Sequence, residues 1–63
     1  MTSQTADNQD HIVAAAKQGE RAGWTGLRFP DARAAAERLY NTQDERDTFM
    51  GAYRIARRER ESR

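Results

Sequence analysis

The chain contains no cysteine, a single histidine, a single proline and no apolar run long enough to span a bilayer. Without cysteine there can be no disulfide framework and no thiolate zinc site. The lone His11 has no second ligand-type residue near it in sequence except acids, so no metal site is expected. A membrane-spanning helix needs about 20 predominantly apolar residues, and charged residues, 33% of the chain, interrupt every candidate stretch. The first ten residues are polar and acidic, whereas an export signal places basic residues before an apolar segment. These absences predict a cytoplasmic protein with no membrane, cofactor or metal requirement. With 63 residues the chain forms one domain at most. It also lacks the disulfides or metals that staple many mini-proteins, so partner binding or homodimer formation is expected to supplement its stability.

Catalytic groupings are missing as well. The carboxylates lie beside arginine or lysine on polar stretches, where ion pairing is the default and general acid–base work would need burial. Gly19 to Gly26 is no phosphate loop, because no strand precedes it and no Lys-Ser/Thr pair ends it. The chain is therefore expected to be a binding protein and not an enzyme, with no small-molecule substrate.

What is present is helical periodicity. Residues 1–7 are rich in Ser, Thr, Gln, Asn and Asp without an apolar period and read as a disordered tail, leaving residues 8–63 as a single small helical domain. From about Asn8 to Gly23, the positions Ile12, Ala15, Ala16, Gly19, Ala22, Gly23 and Gly26 recur at three- and four-residue spacing, which is one helix face. Glycine costs about 1 kcal/mol relative to alanine inside a helix, so Gly19 and Gly23 predict a close backbone approach by another helix, while Gly26 suits a C-terminal cap. Leu27 to Pro30 reads as a connector. Asp31 to Tyr40 reads as a second helix with Ala32, Ala35, Ala36, Leu39 and Tyr40 on one face, and Asn41 as its terminator. Thr42-Gln43-Asp44-Glu45 fits a capping box. It opens a third helix in which Phe49, Ala52, Tyr53 and Ala56 share a face. No segment alternates in the manner of a strand. The expected fold class is all-α, a small helical hairpin or three-helix unit, packed through Gly19, Ala22, Gly23, Phe49 and Tyr53.

Net charge is only +1, yet residues 1–45 carry five basic against seven acidic side chains, and residues 46–63 carry six against three. Much of the positive half is Arg54, Arg57, Arg58, Arg60 and Arg63. The planar guanidinium fork suits phosphate and carboxylate, although basic residues also complement a helix C-terminus and Glu59 and Glu61 are interleaved.

Two segments, in order, resemble the ribosome modulation factor family of short bacterial helical proteins. Gly19-Glu20-Arg21-Ala22-Gly23-Trp24-Thr25-Gly26 has that family's Gly-x-x-Ala-Gly-x-x-Gly pattern. Arg46-Asp47-Thr48-Phe49-Met50-Gly51-Ala52-Tyr53-Arg54-Ile55-Ala56 is similar to its Arg-x-x-Trp-Leu-x-Gly-Trp-Arg-x-Ala pattern, aromatic replacing aromatic. Nineteen residues separate them and carry the alanine-rich helix. The resemblance implies two helices packed glycine face to aromatic face, and a protein that binds the small ribosomal subunit and promotes inactive ribosome dimers when growth slows.

Two functions follow as expectations. One is a ribosome- or rRNA-binding regulator of translation, with Arg54, Arg57, Arg58 and Arg60 on phosphates and Trp24 or Phe29 offering a stacking surface. The other is a small phage- or mobile-element-type inhibitor or adaptor that binds a host protein.

Overall fold

A glycine-lined helix can approach a second helix more closely than any other kind, and this contact organises the molecule. The computed structural model describes residues 3–63, with side chains from Asp10 onward. Three helices follow one another: α1 (Ser3–Thr25), α2 (Phe29–Leu39) and α3 (Gln43–Ser62). No strand occurs among the described residues, so the all-α expectation resolves to a three-helix unit rather than a two-helix hairpin. The disordered tail expected over residues 1–7 falls outside the residues whose side chains are described.

The helices α1 and α3 run parallel. His11 meets Glu45, Gly19 meets Phe49, Gly23 meets Tyr53 and Ala56, and Gly26 lies beside Arg60, so positions rise together along both helices. Two parallel helices in sequence need a return element, which the 11-residue α2 supplies. The Gly19–Gly23 stripe sits directly on the α3 backbone. A Cβ on Gly23 would stand 2.6 Å from the Tyr53 carbonyl oxygen and 2.7 Å from Ala56 Cβ, and one on Gly19 would collide with the Phe49 carbonyl. Ala22, at the edge of this stripe, is half-buried and packs on the core.

The buried apolar residues are Ala15, Ala32, Ala36, Phe49, Tyr53 and Ala56. Four of the six are alanine, because helices this close leave no room for larger side chains between them. Large residues are displaced to the flanks: Val13 and Ile55 are half or more exposed, and so is Leu39, which the sequence pattern had put on the core face of α2. Leu39 is the last residue of that helix and opens instead onto a surface groove with Ile12. On the other flank Tyr40 packs against Phe49, ring centroids 5.7 Å apart and tilted by 48°.

The helix ends show how the chain is punctuated. Gly26 takes the left-handed conformation, φ 85°. The Leu27 amide donates to the Ala22 carbonyl at 3.1 Å and the Gly26 amide to Gly23 at 3.3 Å, which is a Schellman ending. The connector is shorter than the expected Leu27–Pro30. Phe29 and Pro30 already belong to α2, since proline is tolerated in a first turn where its missing N–H would have no partner. Tyr40 is the C-cap of α2, one residue before the expected terminator, and its carbonyl accepts from Arg46 Nε at 3.0 Å.

Thr42 caps α3, its hydroxyl oxygen accepting from the Glu45 amide at 3.2 Å and its hydroxyl donating to the Glu45 carboxylate at 2.8 Å. His11 Nδ1 approaches the same carboxylate at 3.3 Å. The Thr42 hydroxyl, followed by His11, holds Glu45 below the ordinary glutamate range. A carboxyl whose folded value is depressed stabilises the fold above its unfolded pKa and loses that contribution as pH falls through the folded value. Thermal melts at descending acidic pH should therefore show a stability loss in this window, and Glu45→Gln should shrink it. An identical pH profile for the variant would remove Glu45 from the account.

Gly51 behaves unlike the other helical glycines. It lies inside α3, is exposed, and a Cβ there would meet nothing within 4 Å. Gly51→Ala should stabilise by about 1 kcal/mol through helix propensity alone. For a domain this size that corresponds to a rise in melting temperature of about 4–8 °C. A lower melting temperature would show that Gly51 has a contact not present here.

Candidate nucleic-acid interface

Because α1 and α3 are parallel and α2 starts where α1 ends, residues 20–30 and 53–63 gather at one end of the molecule. That end holds Arg28, Arg54, Arg57, Arg58, Arg60 and Arg63, together with Trp24 and Phe29. Two of the arginines lie over aromatic rings: Arg54 is 5.6 Å from the Phe29 ring centroid and Arg63 is 5.2 Å from that of Trp24. Both rings are half-buried, so each keeps part of its face for the solvent while its body packs on the protein. A guanidinium stacked on a ring is oriented before any ligand arrives, which reduces the side-chain entropy lost on binding.

The five arginines at the end of α3 differ in what they already hold. Arg57 turns inward. Its Nη1 donates to the Tyr53 hydroxyl at 3.1 Å and its Nε to Glu61 at 3.2 Å. The Tyr53 hydroxyl in turn donates to the Leu27 carbonyl, tying α3 to the turn after α1. Charge attraction to Tyr53, then hydrogen bonds to Tyr53 and Glu61, raise the Arg57 pKa further, so it stays cationic at any relevant pH. Arg60 lies over the turn, its guanidinium 3.4 Å from the place a Cβ on Gly26 would occupy. Arg54, Arg58 and Arg60 are exposed and make no ion pair among the described residues.

A groove of about 420 Å³ leads from this end along the α2–α3 flank, between Phe29 and Arg33 on α2 and Met50, Gly51 and Arg54 on α3. Arg33, Arg46 and Gly51 were not among the sequence-derived candidates. Their signal was available: Phe29 and Arg33 are four apart on α2, as Met50 and Arg54 are on α3, so each pair shares a helix face. The groove is of mixed charge, with Glu37 and Asp47 beside Arg33 and Arg46, and Arg33 pairs with Glu37 at 3.7 Å. Its aromatic ring, Phe29, lies at the Arg54 end.

No cluster of three His, Asp or Glu side chains able to hold a metal occurs among the described residues. No helix among them is long and apolar enough to cross a membrane. Comparison with known protein families, curated proteins and solved structures finds no match to this chain.

Proposed function

We propose that the chain is a non-enzymatic RNA-binding protein that attaches to ribosomal RNA and regulates translation, in the manner of the ribosome modulation factor family it resembles. The observation that carries this reading is the arginine end, where Arg54 lies over Phe29 and Arg63 over Trp24, with Arg58 and Arg60 exposed on the same end of α3. Phosphates take the free guanidinium forks, and unpaired bases stack on the Arg54–Phe29 and Arg63–Trp24 edges. Arg57 acts at one remove in this scheme. Held by Tyr53 and Glu61, it braces the turn that presents Trp24 and Phe29, and Arg54 and Arg58 make the phosphate contacts.

The opposite end favours a second reading. Asp44 and Glu45 line a groove there with exposed Leu39, a combination suited to a basic protein partner. Sedimentation of a lysate from slowly growing cells separates the two. The RNA reading expects the tagged protein in ribosomal fractions and its release by ribonuclease. Recovery only with one stoichiometric non-ribosomal protein would replace it by the adaptor or inhibitor reading.

A further inference from the structure

The face of the α1–α3 pair opposite the arginine–Phe29 groove is apolar and uncovered. Val13 and Ala16 on α1 and Ala52, Ile55 and Ala56 on α3 line a shallow groove there, rimmed by Lys17, Glu20 and Glu59. Val13 is 50% and Ile55 66% exposed, high for large aliphatic residues lining one groove. We propose that this face is the interface of a homodimer, in which a second copy packs about a two-fold axis with its α1 antiparallel to the first.

Two observations support a second copy as the occupant. The backbone extends 44 × 22 × 13 Å, a slab whose broad face is large enough for such a contact. The charges are self-complementary: Lys17 and Glu20 are one turn apart on α1, and neither has an ion-pair partner among the described residues. Antiparallel pairing about an axis between them sets Lys17 against Glu20 of the second copy twice, as an isologous interface requires. Ala16 and Ala52 leave the helices room to approach, and Val13 and Ile55 lose their water. The Phe29–Arg54 mouth lies on the α2 flank and stays open in the pair.

Sedimentation equilibrium on the full chain over a range of concentrations tests this. Wild type should sediment at twice its 7.2 kDa mass. Ile55→Asp should weaken association by roughly a hundredfold, since a buried isoleucine is lost from both copies. Its helical circular dichroism, followed at the same concentrations, shows whether the monomer remains folded. Lys17→Glu, an exposed change that leaves the fold's own contacts intact, should also favour monomer by placing like charges together, and the combined Lys17→Glu and Glu20→Lys chain should recover the dimer. A wild type that is monomeric throughout, a dimer that persists in Ile55→Asp, or a charge swap that fails to restore association would overturn the proposal.

Discussion

Gly19→Ala should be destabilising, by at least about 2 kcal/mol, although alanine is the better helix former by about 1 kcal/mol. The methyl group would stand against the Phe49 carbonyl, 2.9 Å from its carbon and 3.1 Å from the Phe49 Cα. All three atoms are backbone in the middle of α3, so no rotamer change relieves the clash. The helices must separate, and the packing of Ala15, Phe49 and Tyr53 loosens with them. Overpacking generally costs about 1–3 kcal/mol and sometimes more, while a domain of this length has only about 3–9 kcal/mol in total. A fall in melting temperature of roughly 10 °C or more is expected, with loss of helical circular dichroism at moderate temperature. Gly23→Leu should be tolerated no better, for the same reason against the Tyr53 carbonyl and Ala56. Gly51→Ala is the matched comparison, with the same exchange made in open space. If Gly19→Ala raised the melting temperature as Gly51→Ala should, the close α1–α3 contact would be absent.

This contact also explains which parts of the fold could be read from the chain. Gly19 and Gly23 one turn apart, and Phe49 and Tyr53 one turn apart, are local patterns of a 3.6-residue period, and the structure brings those stripes together. Likewise Gly26 at a helix end and Thr42 before Glu45 are punctuation set by neighbours a few residues away. What was not legible depended on distance in sequence. Nothing local states that Leu39, Val13 and Ile55 stay exposed, because their exposure follows from how closely two other stripes approach. Proline commonly marks a boundary, so Phe29 and Pro30 read locally as connector. Its place inside the first turn follows from the three-residue connector, Gly26 to Arg28, that the Schellman ending leaves. At the arginine end, sequence spacing could put Arg57 and Tyr53 on one face, four residues apart. Whether that guanidinium turned outward to a ligand or inward to a phenol was decided by the Leu27 carbonyl, 26 residues from Tyr53. The gathering of Trp24 and Phe29 with the α3 arginines was equally tertiary, since it requires α1 and α3 to be parallel.

The claim that exposed arginines at this end bind RNA phosphates is tested most directly by the salt dependence of binding. Each phosphate neutralised releases counterions, so the logarithm of the binding constant falls linearly with the logarithm of salt concentration, by about 0.7–0.9 per contact. Arg54→Gln with Arg58→Gln removes two exposed charges without touching the Tyr53–Arg57–Glu61 network, and glutamine is nearly as good a helix former as arginine. Helical circular dichroism should therefore be unchanged. Binding to a ribosomal RNA fragment containing unpaired bases, titrated across monovalent salt, should weaken steeply for the wild type. The double variant should bind less tightly at low salt, with a slope smaller by roughly two units. A wild type that binds no RNA at low salt, or a double variant that binds with the wild-type slope, would contradict the account.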